Sequence, residues 1–160
     1  MWVLLAAGCS DDRSAPEILC EGICQAVARC GFPVAACRTN CENQNPGLAS
    51  RSASGAAAQK QCLTQLSCQA VAGDETAWHE EQSACWDEAV MSVAVSDSAR
   101  RFCPDHARAW FECGYTLSLD DCEHRYSMWS DAVVDRLASC DAKVDCDKLE
   151  SCEQKVFDSL

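Results

Sequence analysis

The sequence predicts an all-α protein built of two divergent, disulfide-stapled small helical modules, each an arrangement of antiparallel helical hairpins with about four helices. Three observations predict it. First, 15 of the 160 residues are cysteine, while Leu, Ile, Val and Phe together make up only about one-sixth of the chain from Cys9 onward. That share falls below the roughly 20% at which a highly charged chain is expected to be disordered. Crosslinks, each contributing about 2–4 kcal/mol, must therefore do what a large apolar core does elsewhere. Second, the cysteines stand at helical spacings. Third, the cysteine pattern of the first half returns in the second.

The clearest spacing lies between Cys20 and Cys41. Cys20/Cys24 and Cys37/Cys41 are two C-x3-C pairs, and residues four apart stack on one face of a helix. In an antiparallel pair, residues equidistant from the turn face each other, and both Cys20/Cys41 and Cys24/Cys37 are centred between residues 30 and 31. The expected bridges are thus Cys20–Cys41 and Cys24–Cys37.

The elements follow in order. Ser14 with Glu17 three residues on is a capping box, Pro16 suits a first turn, and Gly31 closes the helix. A second helix is expected from about Val34 to Gln44, stopped by Pro46-Gly47. Residues 46–55 (PGLASRSASG) read as a flexible loop. A third helix is expected from about Ala56 to Ser67, and a fourth from an Asp74 N-cap, carrying Trp78, Cys85 and Val90. In the second half Pro104 marks an expected helix start. Ser118 with Asp121 caps the next helix, Ser130 opens a third running to Cys140, and the last runs from about Asp147 to Asp158.

The repeat aligns Cys20-x9-Cys30-Gly-Phe with Cys103-x9-Cys113-Gly-Tyr, and Cys62-x5-Cys68 with Cys140-x5-Cys146. Cys41 corresponds to Cys122, and Cys85 to Cys152. If Cys103 bridges Cys122, the inner pair should fall at positions 107 and 118, which are Ala107 and Ser118. Both members are missing together, as bonded partners would be. The other bridges are less constrained, since eight cysteines allow 105 connectivities and six allow 15. The expected pairs are Cys30–Cys68, Cys62–Cys85, Cys113–Cys146 and Cys140–Cys152.

Composition also bounds the function. Zinc knuckles need C-x2-C or Cys/His sets, and the sequence has no C-x2-C, so the cysteines read as disulfides in an oxidising compartment. The same absence leaves a thioredoxin-like dithiol unsupported. A net charge of −12, shared equally by the two halves, argues against a nucleic-acid partner, because phosphates are repelled and no basic stripe exists to release counterions.

Residues 1–9, M-W-V-L-L-A-A-G-C, resemble the lipobox of bacterial lipoproteins, in which the cysteine is acylated and becomes the mature N-terminus. Ala7 and Gly8 fit that pattern. The apolar run is short and lacks a preceding Lys or Arg, so the signal peptide is expected to begin upstream of Met1. Setting Cys9 aside for lipid leaves fourteen cysteines, an even number that can all pair. Residues 10–15 read as a tether, 16–95 as the first module with eight cysteines, and 96–160 as the second with six. With Ser10 directly after the cysteine, the lipoprotein resemblance implies the outer membrane. The lipobox, the tether and the C-x3-C and C-x5-C helices together resemble cysteine-rich lipoproteins of myxobacterial type. That family implies a cell-envelope location and no particular activity. The first hairpin alone is similar to the twin C-x3-C motif of small mitochondrial import chaperones, a likeness of motif only.

Candidate chemistry is sparse. His79, His106 and His124 read as surface residues, with no metal-protease spacing among them. Asp141, Asp145 and Asp147 read as an acidic helix junction without the glycine and glutamate of a calcium loop. No nucleophile elbow or phosphate loop is present, so the expectation is no catalysis, no cofactor and no metal. Trp78, Trp86, Trp110 and Trp129, with Phe111 and Tyr126, read chiefly as core filler. Exposed tryptophans would instead offer a contact surface for a glycan or a protein. The resulting expectation is an envelope lipoprotein with a structural or protein-interaction role, held to the membrane by its N-terminal lipid. The alternative is a ligand-binding module for glycans.

Overall fold

The computed structural model describes residues 13–141 and 145–160. Cys9 and most of the lipobox-and-tether segment lie outside them. The described residues form helices α1 (Ala15–Arg29), α2 (Cys37–Gln44), α3 (Ala53–Leu63), α4 (Cys68–Val71), α5 (Glu75–Ser92), α6 (Asp97–Glu112), α7 (Leu119–Ser127), α8 (Asp131–Asp141) and α9 (Cys146–Asp158), with a short 3-10 turn at Pro46–Ser50. The fold is all-α, and no strand occurs among the described residues.

Helix α1 starts where its capping chemistry places it. The Glu17 carboxylate accepts from the Ser14 backbone N–H at 2.8 Å, and that bond holds the Glu17 carboxyl below its ordinary pKa. Beyond Arg29 the chain reverses at Gly31, whose φ of 78° is the left-handed conformation that glycine adopts without strain. Two small residues let α3 cross α1 closely. At Gly22 a Cβ would lie 3.0 Å from the Lys60 carbonyl oxygen, and Ala26 and Ala56 are wholly buried nearby.

The seven bridges are Cys20–Cys41, Cys24–Cys37, Cys30–Cys68, Cys62–Cys85, Cys103–Cys122, Cys113–Cys146 and Cys140–Cys152. Cys20–Cys41 and Cys24–Cys37 are the pairs that helical spacing selects and Cys103–Cys122 the one that the repeat supports, while the other four are expected pairs that spacing left open. None joins residues 20–85 to residues 103–152. Each half has its own apolar cluster, Ile18, Leu19, Leu63 and Leu66 in the first and Phe102, Val133, Leu137 and Leu149 in the second. A third cluster, Ala89, Val90, Val93 and Met128, lies between them.

Several expectations are corrected. Residues 46–55 are not a free loop. Ser52 N–H donates to the Met128 carbonyl at 3.0 Å and Ser130 N–H to the Ser50 carbonyl at 2.8 Å, and Arg51 pairs with Trp129 in a single antiparallel bridge. Tertiary hydrogen bonds fix a segment whose composition favours turns. Helix α3 begins at Ala53, three residues early, because the Ser52 hydroxyl accepts from Gly55 N–H at 2.9 Å. It also ends early, at Leu63 rather than Ser67, and a separate short helix, α4, begins at Cys68 under a Ser67 cap. Helix α2 begins at Cys37 rather than Val34. Helix α6 begins at Asp97 under a Ser96 cap, so Pro104 sits within it. The helix tolerates Pro104 because the proline and Arg100, whose carbonyl loses its partner, are both exposed and water can satisfy that oxygen.

Candidate functional site

The four tryptophans singled out from the sequence are half-buried. Trp78 packs on the first core, Trp110 on the second, and Trp86 and Trp129 on the cluster between the halves. Tyr126 is buried as expected of core filler, whereas Phe111 is 69% exposed. It stands off the inward stripe of α6 formed by Ala99, Phe102, Cys103 and His106.

Trp86 and Trp129 enclose a cation of the protein's own. The Arg51 guanidinium carbon lies 4.0 Å from one ring centroid and 3.9 Å from the other, an arrangement in which the ring quadrupoles attract the charge. Burial lowers its pKa to about 10, which leaves it charged at neutral pH. Its Nη1 is buried without a hydrogen-bond partner. Arg51, Trp86, Arg125, Tyr126, Trp129 and Phe157 line a cleft of about 450 Å³.

The densest polar group is internal. His106, read as a surface residue, is 1% exposed, because it falls one turn from Phe102 and one from Trp110 on the inner face of α6. Its ring stacks on Phe102 with centroids 4.5 Å apart. Nδ1 lies 2.9 Å from Asp141 Oδ1 and 3.6 Å from Glu153 Oε1, and Nε2 lies 3.0 Å from the Tyr126 hydroxyl. The Trp110 indole N–H donates to Glu153 Oε1 at 3.1 Å. Burial raises the Glu153 carboxyl, with His106 and the indole pulling the other way. Burial, reinforced by Glu153 and Asp141, raises the Tyr126 phenol as well, so it stays protonated.

The expected acidic junction therefore separates. Asp141 turns inward to His106, while Asp145 stays exposed and pairs with Lys148 at 2.7 Å. His79 is exposed as expected. His124 is half-buried, its Nδ1 3.0 Å from the Val93 carbonyl oxygen. The donor atoms of His106, Asp141 and Glu153 all lie within 4.8 Å of one another. Sequence reasoning missed this set because its members come from three helices. The one local signal was the spacing of Phe102, His106 and Trp110, four residues apart.

Exposed apolar side chains gather at the hairpin tips. Phe32 and Val34 stand between α1 and α2, and Tyr115 and Leu117 between α6 and α7, with Phe111 in the last turn of α6 and Leu119 opening α7. Phe32 and Tyr115 hold equivalent places in the repeat, each following Cys-Gly.

Fold and crosslinks define the class: an all-α, cysteine-rich, extracytoplasmic protein whose described cysteines are all in bridges. No described helix is long and apolar enough to cross a membrane. No protein-family model, curated protein or solved structure matches the chain.

Proposed function

We propose that the protein is an envelope lipoprotein, anchored through acylated Cys9, whose stapled hairpins present binding surfaces to a protein partner and carry out no catalysis. The observation behind this reading is the pair of equivalent hairpin tips that expose apolar side chains in both halves. Exposed apolar groups clustered within a polar surface are the usual mark of an interaction site. The second tip is flanked by exposed Glu112, Asp120 and Asp121, which favours a partner with an apolar pocket and a basic rim. The net charge of −12 disfavours anionic lipid as the tips' target. Two acyl chains or more on Cys9 would hold the protein on a membrane stably.

The test is expression of the full chain behind a complete signal peptide in a Gram-negative host. The expected result is an acylated protein in the outer-membrane fraction that Cys9→Ala releases. A photoreactive phenylalanine analogue at Tyr115 should then yield one discrete protein adduct, lost in Phe111→Asp and Leu119→Asp variants that keep their helical signal. A soluble wild-type protein, or the same adduct from position 79, would overturn the reading.

One observation favours a second reading. The cleft that Arg51 and Arg125 share with aromatic walls, and the unpartnered Arg51 Nη1, suit an acidic sugar, with carboxylate on guanidinium and ring on indole. Quenching of tryptophan emission by oligogalacturonate but not by neutral galactan, abolished by Arg51→Met, is the outcome this reading requires.

A further inference from the structure

We propose that His106, Asp141 and Glu153 form a binding site for one divalent transition-metal ion, zinc by preference, inside the second half of the protein. One imidazole and two carboxylates are a donor set that zinc takes at about 2.0–2.2 Å, and tetrahedral angles at those lengths put neighbouring donors about 3.3 Å apart. The separations from His106 Nδ1, 2.9 Å to Asp141 Oδ1 and 3.6 Å to Glu153 Oε1, bracket that value. All three donor atoms lie within 4.8 Å of one another, so seating the ion requires the carboxylates to draw together around it. Calcium and magnesium, which take six or more oxygens, are poorly served by two carboxylates.

Three further observations point to a ligand. The Asp141 side chain is 8% exposed, yet its Oδ2 has no hydrogen-bond partner. A buried carboxylate oxygen left unpaired is costly, and a cation relieves the cost. Two carboxylates also face a single imidazole in a largely dry interior, an imbalance that a doubly charged ion corrects. Finally, outer partners are in place. The Tyr126 hydroxyl, 3.0 Å from Nε2, accepts from Nε2–H in the tautomer that frees the Nδ1 lone pair. The Trp110 N–H holds Glu153 Oε1 at 3.1 Å. Metal-binding histidines and carboxylates are oriented by second partners of this kind.

The bridges hold the set in register. Asp141 directly follows Cys140 and Glu153 directly follows Cys152, and those two cysteines are bonded to each other. His106 lies one turn beyond Cys103, which is bonded to Cys122. Donors whose backbone is fixed before the ion arrives need only side-chain reorganisation to bind it.

The test uses the oxidised full-length protein, stripped with EDTA and titrated with Co²⁺ and Zn²⁺. The expected result is one tightly held ion per chain, cobalt d–d absorption displaced by zinc, a zinc-dependent rise in Tm, and zinc-induced shifts of the His106 ring resonances. Asp141→Asn and Glu153→Gln should each weaken binding by tenfold or more, and Tyr126→Phe by about tenfold to a hundredfold. A His79→Gln/His124→Gln double variant should bind as wild type does. Failure to bind submillimolar zinc, unchanged affinity in both carboxylate variants, or shifts at His79 or His124 with none at His106 would overturn the proposal. The resonance measurement uses the wild-type protein, so it remains decisive even if a variant fails to fold.

Discussion

Replacing Cys24 with Ala and Cys37 with Ser would give the first hairpin the residues that the second hairpin carries at the equivalent positions, Ala107 and Ser118. The cost can be worked out. Alone, the Cys24–Cys37 bridge closes a loop with a sequence separation of 13, worth about 3 kcal/mol of unfolded-state entropy. With Cys20–Cys41 already closed, the inner bridge closes only the ring of about ten residues between the two crosslinks, and the same relation gives about 2.7 kcal/mol. Cys24 and Cys37 are both half-buried, so truncation leaves no sealed cavity and the crosslink dominates the loss.

The double variant should therefore fold with its remaining bridges and melt lower by about 2–4 °C per kcal/mol if the whole chain unfolds together, or about 4–8 °C per kcal/mol if the first half unfolds alone. Scanning calorimetry without reductant separates these cases. Each single variant should do worse than the double, because the stranded thiol attacks neighbouring bridges and traps mispaired forms. Equal damage from single and double changes, or no change in Tm for the double, would refute the reasoning.

Excess reductant at room temperature should abolish most of the helical circular dichroism, since the apolar clusters are small; full retention would mean that crosslinks are dispensable. Gly55→Ala should destabilise the protein by about 1–3 kcal/mol, because the added Cβ would lie 2.8 Å from the Met128 Cα and carbonyl oxygen across the contact between the halves; denaturant midpoints check it, and a neutral result would mean that the contact yields easily. Tm should fall as pH drops below about 4. Asp74 is lowered from 3.8 by the Ala77 N–H and the Gln69 amide, and Glu81 from 4.5 by the Ser67 hydroxyl and N–H. Carboxyls whose folded pKa is depressed stabilise above their unfolded pKa and lose that contribution as they protonate. Asp74→Asn should flatten part of the slope, and an identical slope in the variant would remove Asp74 from the account.

How much was legible depends on how local each signal is. The Ser14–Glu17 cap, the Asp74 cap and the nested hairpin bridges are set by residues a few positions apart or symmetric about one turn, and these could be read directly. The repeat extended that reach, since Ala107 and Ser118 testify to the register of Cys103 and Cys122. The site resisted for the opposite reason. Asp-His-Ala-Arg reads as a solvated stretch, and only Asp141 and Glu153, delivered by other helices, give His106 a reason to be inside. Residues 46–55 misled in the same way, because Ser50 and Ser52 find their hydrogen-bond partners some 75 positions on. Pro104 signals a boundary on local grounds, and the Ser96 cap overrides it.

That no bridge links residues 20–85 to residues 103–152 has a consequence for biogenesis. A chain threaded through an export channel from its N-terminus would emerge with all eight partners of the first set before Cys103 appears, so oxidation can run to completion in two successive rounds. The pairing search is then among 105 and later among 15 arrangements, far fewer than fourteen thiols released at once would face. An isomerase would have a correspondingly small repair task, and a stalled translocation intermediate would already hold a fully crosslinked first half, its residues 46–55 still awaiting their partners at 127–130.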